Sequence, residues 1–250
     1  MDLQNKSAIV TGAGSGIGRA LALAYAREGA RVVVSDIAEE SGQETVRLIQ
    51  EAAPGAEALF VRADTTSPEE NEALARAAVD RFGALHIACN NAGIAGELNP
   101  VGELSLEGWR KVIDINLSGV FYGMRAQIPR ILDAGGGAIV NLSSILGQVG
   151  SANSSGYVAA KHGVVGLTKT AALEYSARGL RVNAIGPGYT DTPLLTELPR
   201  ETREGLVALH PIGGLGRAEE VAELVVWLSS DRAGFVTGAY YPVDGGYLAR

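Results

Sequence analysis

Apolar runs of strand length alternate with helix-period segments along almost the whole 250-residue chain. Strict βα alternation leaves few architectures open. Strands are expected at Lys6–Thr11, Arg31–Ser35, Glu57–Arg62, His86–Asn90, Ala138–Leu142, Leu180–Ile185 and Tyr240–Val243. Helices are expected at Gly16–Glu28, Glu39–Ala52, Pro68–Phe82, Leu106–Asp133, Ser155–Ala177 and Ala218–Ser229. The first, second, fifth and sixth strands are near-continuous aliphatic runs such as Arg31-Val32-Val33-Val34-Ser35. Such runs suit parallel strands covered on both faces. The expected fold is therefore a single doubly wound α/β domain of about seven strands. No linker divides the chain, and no internal repeat is visible.

Composition narrows the class. At 46% hydrophobic and 20% charged, the chain can bury a sizeable core. Its net charge of −7 argues against duplex nucleic acid and anionic membrane surfaces as partners. One cysteine, Cys89, allows neither an intrachain disulfide nor a cysteine zinc cluster. It reads as a small core residue. His86, His162 and His210 are scattered, and no cluster has metal-ligand spacing. The start, Met1 to Lys6, lacks the basic and apolar parts of a signal peptide, so a soluble cytoplasmic protein is expected.

Two places carry chemistry. At the first, strand one runs into Thr11-Gly12-Ala13-Gly14-Ser15-Gly16-Ile17-Gly18, where a helix opens. Gly12 permits a tight turn, Gly16 close approach of a pyrophosphate, and Gly18 close packing of helix on strand. The helix start adds free N–H groups. The spacing is G-x-x-x-G-x-G, and no Lys-Ser/Thr follows, so this is no triphosphate P-loop. An ordinary glycine-rich turn is the plain reading, but Asp36 lies 18 residues beyond Gly18, at the end of strand two. An acid at about 20 residues meets the adenosine ribose hydroxyls of NAD. Its plainer role is a helix cap. A carboxylate there repels a 2′-phosphate, and neither Ser15 nor Ile37 offers a positive charge to hold one. NAD is favoured over NADP.

At the second place, Tyr157 and Lys161 share one helix face, one turn apart. A tyrosine with its ordinary pKa near 10 is a poor base at neutral pH, and a nearby ammonium favours the phenolate. Alone, the pair reads as a surface contact. Ser143 and Ser144, however, lie just past strand five, on the edge where open α/β sheets bind ligands. A serine there can donate to a carbonyl oxygen. Asn90-Asn91-Ala92-Gly93 ends strand four, with Asn90 expected to fasten backbone. Asn116 is a polar residue on an apolar helix face, where it needs a partner or a task.

Together these segments resemble the short-chain dehydrogenase/reductase family, in its classical branch, over essentially the whole sequence. The family's T-G-x-x-x-G-x-G is Thr11–Gly18, its N-N-A-G is Asn90–Gly93, and its Y-x-x-x-K is Tyr157–Lys161. Its P-G turn is Pro187-Gly188, followed by Thr190 and Thr192, and its closing D-G-G is Asp244–Gly246. The family's serine usually precedes the tyrosine by 13 residues, which selects Ser144 over Ser143. The resemblance implies a nicotinamide-dependent oxidoreductase. Tyr157 would be the general acid/base, and Lys161 would lower its pKa and hold the nicotinamide ribose. Ser144 would polarise the carbonyl, and Asn116 would order a water in a proton relay. Pro187 to Thr192 would anchor the carboxamide, with Asp64, Thr65, Asn91, Ala92 and Gly93 along the cofactor. Three positions depart from the common pattern: Thr65, His86 and Cys89. At Thr65 the backbone is the safer contact.

The expected substrate pocket is lined by the uncharged segments Ile94–Gly96 and Ile145–Asn153 and by Tyr189, with Ile94, Ser144, Ile145, Leu146, Val149 and Tyr189 as its main residues. It predicts a neutral secondary alcohol or its ketone. A mobile lid is expected at about 190–211, where Asp191, Arg200 or Arg203 could meet a polar substrate, as could Glu97. NAD favours oxidation. The alternatives are a 3-oxoacyl-thioester reductase acting on an acyl carrier protein, which Asp36 and the acidic charge count against, and a non-catalytic NAD sensor, which the complete Ser144–Tyr157–Lys161 set counts against. A homotetramer is the family expectation. Its interfaces would be the helices around Asn116 and Tyr157, and the Tyr240–Arg250 end.

Overall fold

A computed structural model describes residues 1–196 and 199–249 of the chain. Glu197 and Leu198 of the expected lid, and Arg250 of the expected second interface, lie outside the described residues. The chain alternates β1 (Ser7–Thr11), α1 (Gly16–Arg27), β2 (Arg31–Asp36), α2 (Glu39–Ala52), β3 (Ala58–Arg62), α3 (Pro68–Phe82) and β4 (Ile87–Asn90). Then come α4 (Leu106–Ile113), α5 (Gly119–Asp133), β5 (Gly137–Leu142), α6 (Ser155–Tyr175) and β6 (Leu180–Pro187). A two-residue strand β7 (Thr190–Asp191), short helices α7 (Pro193–Thr196) and α8 (Arg200–Ala208), and β8 (Gly216–Arg217) follow, before α9 (Ala218–Ser229) and β9 (Tyr240–Val243).

Seven strands form one parallel sheet in the order β3-β2-β1-β4-β5-β6-β9. The order reverses between β1 and β4, which opens a crevice at the carboxyl ends of those strands. Thr11, Asp36, Asn90, Leu142 and Pro187 all end strands on this edge.

Alternation along the central strands decides how the layers are held. Ala8 and Val10 pack with Leu21, Tyr25, Val221 and Val225 of α1 and α9. Ile9, between them, packs on the other face with Leu74, Ile131 and Val164 of α3, α5 and α6. Val32 and Val34 repeat the first pattern and Val33 the second. Each such side chain contributes roughly 1.5–3 kcal/mol when fully buried, so a strand placed one residue out of register would lose several of them at once.

Local chemistry fixes the element ends. Ser67 caps α3 by accepting from Glu70 N at 3.1 Å, Pro68 opens the helix, and Gly83 closes it at φ +82°. The expected continuous helix over 106–133 is interrupted. A π turn at Asp114–Ser118 separates α4 from α5, because Gly119 N reaches back five residues to Asp114 O. The expected lid also has structure of its own. Its first residues form β7, which pairs in parallel with β8 just beyond its end, and α7 and α8 lie between.

Candidate active site

The glycine turn fits a dinucleotide. Gly12 and Gly16 have φ of +62° and +51°, and a Cβ on Gly18 would lie 2.1 Å from Gly12 O. No larger residue fits at Gly18 without moving the turn. Ser15 begins α1, yet its side chain accepts none of the first-turn N–H groups. Those donors are left without a side-chain cap, which suits a phosphate-binding helix start. Asp36 meets the turn directly. Its Oδ2 accepts from Gly14 N at 2.8 Å and its Oδ1 from Ala38 N at 3.0 Å. It therefore ties β2 to the glycine turn, and α2 begins without a side-chain cap. Ile37 beside it is 62% exposed.

Backbone hydrogen bonds join the next pieces. Thr11 Oγ1 accepts from Asn91 N and Ala92 N at 3.0 and 3.1 Å, and Asn91 Nδ2 donates to Thr11 O and Gly12 O. Thr11 thus locks the end of β4 onto the glycine turn. Nothing in the sequence reading gave it a role of its own. Asn90 does not fasten backbone, as expected from sequence. Its buried amide pairs with Gln127 and Asn141, a side-chain network that runs on to Thr168. Asp64 Oδ1 accepts from the N–H and hydroxyl of Thr66, and Thr65 O accepts from Asn71 Nδ2.

Beyond the glycine turn the crevice widens into a cavity of about 550 Å³. Its walls include Ser144, Tyr157 and Lys161, with Asn91, Gly93, Pro187, Gly188, Thr190 and Thr192 toward the cofactor side. Ile94, Ile145, Leu146 and Tyr189 line it as expected. Val149 does not: it is 36% exposed and stands outside the cavity. Ala95 and Ser151–Asn153, within the expected segments, line it too, whereas Leu98, Ser154, Leu195, Thr202 and Leu206 were not found from sequence. They come from loops and from the short helices α7 and α8, whose folded packing leaves no periodic signature in the chain.

Burial shapes the chemistry of the wall. Lys161 is 4% exposed, and its Nζ donates to Leu142 O at 2.7 Å and lies 5.5 Å from the Tyr157 ring centroid. Burial lowers its pKa to about 8. Burial also raises the Tyr157 phenol, which the Ser144 hydroxyl beside it partly offsets. Ser143 and Ser144 both line the cavity but differ in their partners. Ser143 Oγ donates to Lys161 O at 2.9 Å, while Ser144 faces Tyr157. Tyr240 adds support from β9, its hydroxyl donating to Ser144 O at 2.8 Å.

Asn116 sits in the π turn and is fully buried. Its amide is bound at both ends to the backbone of Ile94. A Cβ on Gly93 would lie 3.2 Å from Asn116 Oδ1 and 3.7 Å from Lys161 Nζ. The turn after β4 therefore passes between the two polar side chains.

Among the described residues, the charged ones of the expected lid stand apart from the cavity. Arg203 pairs with Asp191 at 2.6 Å, and Arg200 with Glu204 at 2.7 Å. Thr202 and Leu206, four residues apart on α8, face the cavity instead. Glu97 is held by Asn99 and Ser105. His162 is exposed, with Nδ1 2.9 Å from Val158 O, and Cys89 is buried in the sheet. Among the described residues no cluster of metal-ligating side chains occurs, and no helix is long and apolar enough to cross a membrane.

Known proteins share this architecture. A family model described as enoyl-(acyl carrier protein) reductase matches residues 12–248. Cyclohexanol dehydrogenase of Acinetobacter sp. (strain SE19) is 56% identical, over 98% of this chain and 96% of its own. Cis-4-hydroxycyclohexanecarboxylate dehydrogenase of Sinomonas cyclohexanicum is 50% identical, over 97% and 96%. The crystal structure of levodione reductase superposes with a TM-score of 0.96 at 39% identity, covering 99% of both chains. A putative 2-deoxy-D-gluconate 3-dehydrogenase from Agrobacterium tumefaciens, solved with bound NADP, gives a TM-score of 0.91 at 36% identity, covering 100% of this chain and 98% of that one. The chain belongs to the short-chain dehydrogenase/reductase family.

Proposed function

We propose that the chain is an NAD-dependent dehydrogenase of neutral, alicyclic secondary alcohols, interconverting the alcohol and its ketone. One observation carries the reading. Ser144, Tyr157 and Lys161 meet on one wall of a cavity in which, among the described residues, only Lys161 bears a charge. A cyclohexane ring with one hydroxyl matches that balance of apolar wall and single polar end. The names of the two cyclohexane-ring dehydrogenases above point the same way. An acyl carrier protein is a poorer partner, because a net charge of −7 offers no basic face to an acidic carrier.

A nicotinamide cofactor, when bound beside these residues, would supply the hydride acceptor for oxidation and the hydride donor for reduction. The chain's own residues manage the proton. Tyr157 takes it from the alcohol hydroxyl as phenolate and gives it back as phenol. Ser144 donates a hydrogen bond to the same oxygen and holds it toward Tyr157. Tyr157 and Lys161 act as a coupled pair. Burial favours the neutral form of each, and a proton moved from Tyr157 to Lys161 makes a phenolate beside an ammonium. Asn116 fixes Ile94 and the Gly93 turn, with both ends of its amide engaged there.

Asp36 supports NAD over NADP. Its carboxylate is fixed where a 2′-phosphate would come. Arg19, the cation at this turn, is directed elsewhere, with Nε donating to Thr45 Oγ1 at 3.0 Å and Nη2 to the carbonyls of Gly14 and Ser41. Tetramer formation is part of the reading. Trp109, Phe121 and Leu173 are 40%, 47% and 88% exposed on α4, α5 and α6, where partner helices would cover them. The testing experiment is NADH formation from cyclohexanol by the purified protein, with Tyr157→Phe alongside. Turnover that the variant loses supports the reading, and NAD binding without turnover of any cyclic or open-chain secondary alcohol overturns it.

A further inference from the structure

His210 is 4% exposed and sits two residues past the end of α8. Its Nε2 lies 3.2 Å from the backbone N of Tyr189, and its Nδ1 lies 2.9 Å from the carbonyl of Leu206. A backbone N–H can only donate and a carbonyl can only accept. The partners therefore fix one neutral tautomer, with the proton on Nδ1 and Nε2 bare. The ring also stands against the aromatic faces of Tyr189 and Tyr247, at centroid distances of 5.8 and 5.7 Å. It packs so closely on the Pro187-Gly188 turn that a Cβ on Gly188 would lie 2.8 Å from Nε2.

Both residues that the imidazole joins line the cavity, and they come from different elements. Tyr189 follows β6 on the fixed sheet edge, and Leu206 belongs to α8. We propose that His210 is a positioning residue that braces α8 against the sheet edge and so sets the substrate cavity between Leu206 and Tyr189. It touches neither substrate nor cofactor. The inference rests on the alcohol-dehydrogenase reading above for its effect on turnover, but the brace itself does not. Salt pairing of Arg203 with Asp191 joins α8 to β7 at the exposed side of the same helix, so His210 supplies the buried half of the attachment.

Two variants separate the brace from simple packing. His210→Phe keeps a ring against Tyr189 and Tyr247 but removes both hydrogen bonds. His210→Gln restores an acceptor near the Nε2 position. Hydrogen exchange in the cofactor-free protein reads the brace without catalysis. The Tyr189 amide and the amides of 200–209 should exchange about tenfold faster in His210→Phe, and within about threefold of wild type in His210→Gln. With cyclohexanol as substrate, His210→Phe should raise the alcohol KM about tenfold with kcat and the NAD KM within about threefold, and His210→Gln should recover most of it. Melting temperatures of all three proteins identify any global loss of fold. Unchanged exchange in His210→Phe, or a folded His210→Gln as fast as His210→Phe, overturns the proposal. Failure of the wild-type protein to oxidise any alcohol sinks the functional reading alone, because the exchange data still decide on His210.

Discussion

Asn116 Oδ1 accepts from Ile94 N, and Asn116 Nδ2 donates to Ile94 O, each at 2.8 Å. A fully buried amide is thereby satisfied by one residue of the turn that follows β4. Asn116→Ala strands both backbone groups of Ile94. Two lost hydrogen bonds, with partners left in a confined space, should cost about 2–3 kcal/mol. Urea unfolding measures this as a lower midpoint at unchanged slope. A loss under about 0.5 kcal/mol would mean that the amide is not needed to hold Ile94.

The buried lysine predicts a pH signature. Its folded pKa of about 8 lies below the ordinary 10.5. Between those values the unfolded chain holds a proton that the folded chain has released, so stability gains from this group as pH rises. Cys89 and Tyr157, raised by burial, work the opposite way at higher pH. Comparison with Lys161→Met cancels them. From pH 8 to pH 10 the cofactor-free wild type should gain of the order of 2–3 kcal/mol relative to the variant. Parallel stability curves would show that Lys161 titrates normally.

Cofactor choice should follow Asp36. Paired replacement of Asp36→Ala and Ile37→Arg removes a repelling carboxylate and supplies a cation at an exposed position. The ratio of kcat/KM for NADP over NAD should rise roughly a hundredfold. A wild-type enzyme that already prefers NADP would contradict the role given to Asp36 and align the chain with the NADP-bound neighbour.

The neutral cavity predicts a charge preference. Cyclohexanol should exceed cis-4-hydroxycyclohexanecarboxylate in kcat/KM by about tenfold or more, since among the described residues no lining cation beyond Lys161 meets the carboxylate. Leu206→Arg should narrow that gap. Equal rates on the two alcohols in the wild type would show that a charge of the lid reaches the substrate.

Much of this architecture was legible in the chain. α2, α3, α9 and β9 fall on their expected residues because caps, glycines and aliphatic runs are local signals. Spacing and the family resemblance drew attention to Ser144, Tyr157, Lys161 and Asp36, and the first three share one cavity wall. The π turn was not legible, since it arises where α4 and α5 pack around Asn116, and nothing in Asp114–Ser118 marks it. α8 was missed because its strongly polar sequence reads as loop until Thr202 and Leu206 find the cavity. Thr11, Tyr240 and His210 were missed for a related reason. Their partners lie 80, 96 and 21 residues away, and only the folded sheet edge brings them together.

Tyr157→Phe is the most direct test of the central claim, measured as NADH formed from cyclohexanol at saturating NAD. The phenyl ring keeps the packing and removes the one atom said to move the proton. kcat should fall roughly a hundred- to ten-thousandfold, with NAD affinity within about threefold of wild type. A variant that oxidises cyclohexanol at near the wild-type rate would contradict the account.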